Sequence, residues 1–268
     1  MAALSGDSDT KKNTQITVSD GALIPDRGEA SIFSAWRISF FGAVGLVILL
    51  PVISPDPYLE IISFLPDGIL RTFQVTLISI FFALVIGLVT GLGRISRITF
   101  INRLATVYVE VIRGIPLLVQ LFYIYFALGR FLSLDRMVAA ILAMSVCYGA
   151  YMGEIFRAGI QSIPKGQMEA ALALGMSRHQ ALRLVIIPQT MRVILPPIGN
   201  EFIALLKDSS LVSIVAVSDL LRRGREYAST TFFYFEAYTM VALIYLVFTL
   251  FFSKAVAIME ERLEHGGN

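Results

Sequence analysis

Glu201, Lys207 and Asp208 lie in a stretch, about Val193 to Leu220, that is otherwise largely apolar. An ionisable group in hydrocarbon is costly, so such residues face a cavity or a partner and are candidates for function by default. Glu201 and Asp208 are seven residues apart, which on a helix puts them on nearly one face, roughly 10 Å apart along the axis. Pro196, Pro197 and Gly199 precede them. These are expected to open the helix and free backbone groups to line a cavity. Lys207 offers a competing structural role, the neutralisation of one carboxylate, and Asn200 adds a neighbouring amide to the candidate binding set. Arg113 is a further candidate, because a guanidinium can hold an α-carboxylate bidentately. Two i, i+3 pairs, Glu110 with Arg113 and Glu154 with Arg157, have the spacing of ion pairs that anchor helix ends or close an inner gate.

Other chemistries find no support. No nucleophile and base converge, since Ser209 and Ser210 beside Asp208 have no histidine in any apolar stretch, so no catalytic residue is assigned. His179 and His265 lack ligand spacing, and the single cysteine, Cys147, reads as packing, so no metal site is assigned. No GxxxxGK[ST] phosphate loop occurs, and no basic tract interleaved with aromatics indicates a nucleic-acid partner.

The elements that position these residues follow from hydropathy. Of 268 residues, 56% are hydrophobic and 16% charged, and the mean hydropathy is +0.73. Membrane lipid is the expected solvent for most of the chain, and its length allows about six spans of roughly 20 residues each. The fold class is therefore an all-α, multi-span membrane helical bundle. Residues 1–30 form a polar tail with no apolar periodicity, expected to be disordered. An N-terminal span, about Ile38 to Ile53, and an irregular outer loop from Pro55 to Pro66 complete a segment over residues 31–67. Further spans are expected at about Thr72–Leu92, Pro116–Leu128, Met137–Ile155, Val193–Leu220 and Ala237–Ile258. Arg94, Arg97 and Arg103 mark a cytoplasmic end, and Lys11, Lys12, Arg27 and Arg37 place the N-terminus on the same side. Six spans then put both termini in the cytoplasm. Arg222, Arg223 and Arg225 run against that rule, with Asp219 and Glu226 or an acidic partner available to offset them.

The polar segment from Arg157 to Arg183 carries KGQMEAALALGMSRHQALRLVIIPQ, Lys165 to Gln189. Its Ala-rich run Ala170–Leu174, between Glu169 and Arg178, predicts a short helix on the cytoplasmic surface that can fill a groove. Gly175 permits a turn or a close approach, and Pro188 is expected to stop the segment before the next span. Glu169, Ala170 and Ala171, then Gly175, then Val185, Ile187 and Pro188 resemble the EAA loop of ABC-importer permeases. YVEVIRGIPLLVQLFYIYFALG (Tyr108–Gly129), YGAYMGEIFRAGIQSIPKGQ (Tyr148–Gln167) and LPPIGNEFIALLKDSSLVS (Leu195–Ser213) are similar to the polar amino-acid uptake family, which includes histidine, glutamine and arginine permeases. The similarity covers about Gly68 to Leu263. The first helix and its tail are extra to the usual five-span core, and Ile115 stands where Thr is usual before the proline.

The resemblance implies a permease domain over residues 68–263 whose EAA loop, about 165–189, is a coupling helix contacted by an ATPase. It implies that the segment with Glu201 and Asp208 lines the substrate cavity and that the two acids hold a cationic side chain, as in arginine, lysine or histidine. It further implies a second permease subunit, identical or related, two copies of an ABC ATPase that carry ATP and Mg, and a periplasmic or extracellular amino-acid-binding protein. This chain would bind no cofactor and perform no catalysis of its own, and it would reside in the bacterial inner membrane. An ion-gradient-driven transporter or channel is the alternative, with Glu201 and Asp208 binding protons or cations.

Overall fold

The computed structural model describes residues 34–265. The polar tail and its Lys11, Lys12 and Arg27 lie outside the described residues. Every regular element among the described residues is helical. Five stretches are long and apolar enough to cross a membrane: Ala35–Ile53, Pro55–Arg94, Arg136–Gln161, Arg178–Val215 and Tyr234–Leu263. A sixth crossing is the bent pair Thr99–Gly114 and Leu117–Phe131, which meet at 101°. Phe41, Ile48, Phe81 and Val89 are among the many exposed apolar side chains, as an all-helical bundle facing hydrocarbon requires.

Helix α1 (Ala35–Ile53) begins at Ser34, whose hydroxyl accepts the Arg37 N–H at 3.3 Å. It lies along α12 (Tyr234–His265), where Trp36 Nε1 donates to the Leu250 carbonyl at 2.9 Å. The stretch from Pro55, expected as an irregular loop, is instead helix α2 (Pro55–Phe64), followed by α3 (Pro66–Arg94). Proline at a first helical position loses only an N–H that has no intrahelical partner, so these prolines start helices. Tyr58, Ile61 and Leu65 are buried against Leu220, Tyr227 and Met240.

The bundle centres on α7 (Arg136–Gln161), the most buried of the candidate spans. It packs along α3 through small residues. A Cβ added at Gly87 would lie 2.9 Å from the backbone carbonyl carbon of Met152, so the two backbones approach as close as glycine permits. Val75, Ala83, Leu121 and Leu205 close the core around its Ala143 and Met144.

The run expected from Pro116 begins earlier. Helix α4 (Thr99–Gly114) breaks at Ile115 and Pro116, and α5 (Leu117–Phe122) leaves at the bend, continuing as a π turn (Tyr123–Leu128) and α6 (Gly129–Leu132). A bend strands carbonyls that the next turn would have satisfied. Gln120, 6% exposed, donates Nε2 to the Ile112 and Ile115 carbonyls, both at 2.8 Å. Its side chain staples the bend.

The later boundaries also differ from expectation. After α8 (Lys165–Ala173) and α9 (Arg178–Ala181), a π turn (Leu182–Ile186) runs directly into α10 (Ile187–Asp208), so Pro188 starts that helix and does not stop the segment. Pro196 and Pro197 do not open α10. Their fixed φ is helical, and the missing donors free only carbonyls one turn back. The helix ends at Asp208, where a 3-10 turn (Ser209–Val215) follows, short of Leu220.

The polar loop expected before Glu236 is largely helix α11 (Leu220–Thr231), capped by Asp219, which accepts the Leu221 and Arg222 N–H groups at 3.2 and 3.1 Å. The basic triplet is drawn into the fold. Arg222 pairs with Glu226 at 2.8 Å. Arg223 pairs with Glu226 and Asp67 and lies 3.9 Å from the centre of the Phe64 ring. Arg225 donates to the Ser213 carbonyl at 3.4 Å. All three cations thus find partners within the fold.

Two predictions follow from the buried polar groups. Replacing Gln120 by Leu removes its bond to the Ile115 carbonyl and one of two donors to the Ile112 carbonyl, which also accepts the Ile115 N–H at 3.4 Å, and should lower unfolding stability in detergent by about 1 kcal/mol, read as a fall in Tm. Asp219 is fully buried, and desolvation raises its pKa from 3.8 to about 6 against the lowering pull of the two backbone donors. The native state then binds this proton more tightly than the unfolded chain. The contribution is most stabilising below about pH 4 and is lost as pH rises through about 6, roughly 3 kcal/mol in all. Asp219→Asn should flatten that part of the Tm against pH profile.

Candidate functional site

A cavity of about 450 Å³ opens where the α4–α5 bend faces α7 and α10, a size within the usual range for small-molecule sites. Arg113, Tyr148, Tyr151, Glu201 and Asp208 line it, with Cys147 and the backbone of the bend. Three of the four candidate binding residues are thus brought together. Asn200 is not, because it is exposed and lies off the lining face of α10. Helical spacing explains the difference, since Glu201 and Asp208 share a face that the residue before Glu201, turned by about 100°, cannot share.

Each wall has a local cause. The bend delivers Arg113, the residue before Gly114, to the rim. Helix α7 is anchored at its start by Asp135, whose carboxylate accepts the Met137 N–H at 2.8 Å. It contributes Tyr148 and Tyr151 from adjacent turns. Tyr148 is 4% exposed, and its hydroxyl donates to Asp208 Oδ2 at 2.8 Å. Asp208 is the last residue of α10, and a carboxylate there meets the negative end of the helix dipole, so this donor is the compensation it needs. The Arg113 guanidinium carbon lies 5.1 Å from the centre of the Tyr151 ring.

Two of the proposed neutralising arrangements do not form. Lys207 is exposed, and no ion pair joins it to Glu201 or Asp208 among the described residues. Glu110 likewise makes no ion pair with Arg113, since that side chain lies over Tyr151. The Glu154–Arg157 pair does form, and Arg94 at the end of α3 joins it from the other side of Glu154. Arg157 also donates to Gln161 Oε1. This network ties the C-terminal ends of α3 and α7 together. It lies toward the opposite end of α7 from Asp135.

Beyond it, the α8–α9 segment projects from the bundle. The Gly175 N–H bonds to the Leu172 carbonyl at 3.0 Å and the Met176 N–H to the Ala171 carbonyl at 3.2 Å. With Gly175 at φ +83°, this is a Schellman turn that ends α8. Ser177 and Gln180 close a reciprocal capping box that starts α9. Ala171 is buried, whereas Glu169, Ala170 and Leu172 are exposed and Leu174 is 81% exposed. The tip of the turn therefore presents apolar side chains to its surroundings.

The residues that sequence reasoning missed are Tyr148, Tyr151, Gln120 and Arg94. A signal existed for the tyrosines, two polar-tipped aromatics one helical turn apart within a span. Gln120 could have been noticed as an amide inside an apolar run, but its role depends on a bend that only the fold reveals.

Comparison with known proteins agrees with this architecture. Residues 83–265 match the family described as binding-protein-dependent transport system inner membrane component. The glutamine transport system permease protein of Escherichia coli strain K12 is 39% identical over 206 residues, 76% of this chain and 94% of that protein. The L-cystine transport system permease protein of Bacillus subtilis strain 168 is also 39% identical over 206 residues, 75% of this chain and 86% of that protein. Among solved structures, an amino acid ABC transporter crystallised with histidines has a TM-score of 0.72 at 41% identity, covering 76% of this chain and 96% of the other. With its family model matching well over half its length and two relatives matched nearly end to end, this chain belongs to the inner-membrane components of binding-protein-dependent transport systems.

Proposed function

We propose that this chain is the permease subunit of an ATP-driven importer of polar amino acids, with a preference for cationic ones. The observation that carries the reading is the cavity in which one guanidinium, Arg113, faces two carboxylates, Glu201 and Asp208. An amino acid's α-carboxylate suits Arg113, and its positive groups suit the two acids. With two negative charges against one positive, the lining favours a ligand of net positive charge. The relatives' printed substrates, glutamine and L-cystine, support the amino-acid class.

In this reading the end of the bundle that carries the Arg94–Glu154–Arg157 network and the α8–α9 turn faces the cytoplasm, as do both termini. Residues 68–263 are the permease core, and α1 with α2 is an addition to it. The exposed Glu169, Ala170, Leu172 and Leu174 of the turn dock on one of two ABC ATPases, where ATP and Mg are bound. A second permease subunit completes the pathway, and a periplasmic or extracellular binding protein delivers the amino acid. Closure of the ATPases moves α8 as a rigid body, and the capped turn at Gly175 passes that movement into α10 and the cavity wall. Arg157 and Glu154 act as structural ion pairs beside this path.

Uptake assays in proteoliposomes test both halves of the reading. Glu201→Gln should lower uptake of L-arginine relative to L-glutamine by about tenfold, the worth of one charge-assisted contact; an unchanged ratio would remove the charge-recognition role. Glu169→Lys and Gly175→Pro should insert and assemble normally yet abolish ATP-driven uptake, because the first reverses a charge on the docking face and the second cannot adopt positive φ. Normal uptake by both would sink the coupling assignment.

A further inference from the structure

The cavity poses an electrostatic problem that α7 solves. Opposite charges lining one cavity attract, and Arg113 has a long, flexible side chain. The default outcome would be collapse of the guanidinium onto Glu201 or Asp208, after which a ligand would have to break an ion pair before binding. No ion pair between Arg113 and either carboxylate is found among the described residues. Arg113 is instead held over the Tyr151 ring at 5.1 Å, and Asp208 is held by the Tyr148 hydroxyl at 2.8 Å. The two tyrosines are one turn apart on α7, with ring centroids 5.9 Å apart.

We propose that Tyr148 and Tyr151 are positioning residues that keep the cationic and anionic poles of the cavity apart and unneutralised, so that the empty site selects a ligand carrying both charges. The proposal rests on the reading of the cavity as an amino-acid site and adds how it discriminates. A ring face attracts a cation through its quadrupole but leaves the positive charge in place. A phenol hydroxyl donates a hydrogen bond to a carboxylate without cancelling its charge. Each tyrosine therefore orients one pole and leaves it available. The backbone under Arg113 is fixed as well, by the Gln120 bonds to Ile112 and Ile115 on either side of it. An ion of one sign would satisfy only one pole and leave the other unpaired, whereas an amino acid with an α-carboxylate and a distal cation satisfies both.

The test is equilibrium binding of labelled L-arginine and L-glutamine to the detergent-solubilised permease and ATPase complex, without binding protein, so that its affinity does not mask that of the cavity. Tyr151→Leu should raise Kd for both amino acids about tenfold, and Tyr151→Phe, which keeps the ring face, should recover most of that loss. In a Glu201→Gln background, Tyr151→Leu should change the L-glutamine Kd by less than about twofold, because Arg113 has lost one carboxylate onto which it would collapse. Tyr148→Phe removes a single oxygen and should raise the L-arginine Kd more than the L-glutamine Kd. If the Leu and Phe variants at Tyr151 bind alike while Arg113→Ala weakens binding, the positioning roles are overturned and the amino-acid site stands. If Arg113→Ala and Glu201→Gln leave both Kd values unchanged, the amino-acid site itself is wrong. Should Tyr151→Leu fail to assemble, Tyr148→Phe decides alone, and equal Kd values for both ligands in it and the parent overturn the proposal.

Discussion

The carboxamide of Gln120 donates to two carbonyls at the α4–α5 bend, and the geometry of the cavity depends on that contact. Hydrocarbon cannot hydrogen-bond a freed carbonyl, so a sharp break at membrane depth survives only where the protein supplies donors. A 101° turn at Gly114–Pro116 is such a break. Once it is stapled, α5 can pack against α7 while α4 takes another course, and Arg113 is left at the rim of the space between them. Pro116 already breaks the run, because it lacks an N–H and disfavours helical geometry at Ile115, and the Gln120 bonds pair the carbonyls that the break exposes.

The same requirement shapes the other interruptions. Asp219 caps α11 with its carboxylate, Ser177 and Gln180 cap α9 reciprocally, and Gly175 closes α8 by donating its own N–H to the end of that helix. Where a break needs no external donor, the helix simply continues, as α10 does through Pro196 and Pro197. Close packing then sets the separation of the spans. Glycine contacts hold α3 against α7, whose Tyr148 reaches Asp208, and the Arg94–Glu154–Arg157 network holds the same two helices together near one end.

The divide between cavity and turn also has a physical logic. In the cavity Arg113 lies over a tyrosine ring and Asp208 accepts from a tyrosine hydroxyl, whereas the α8–α9 turn presents exposed aliphatic side chains on a capped backbone. In the proposed reading, one surface takes a small charged ligand and the other a protein groove. They are joined by a helical run from Arg178 through Asp208, interrupted by the π turn Leu182–Ile186.

The amino-acid sequence by itself determined the membrane class, the helical class, most of the spans and the interruption of the apolar pattern after Arg157, because hydropathy and spacing are local properties that need no partner to be read. It also singled out Arg113, Glu201 and Asp208, since a charge in an apolar run is conspicuous wherever it falls. Tertiary structure alone decided that these three share a cavity and Asn200 does not, that Glu110 is not the partner of Arg113, and that Arg222, Arg223 and Arg225 find partners within the fold. Each of those outcomes turns on which surfaces meet. A bend stapled by a residue several positions away, and two tyrosines whose neighbours come from other helices, are relations between distant parts of the chain, and no local pattern records them.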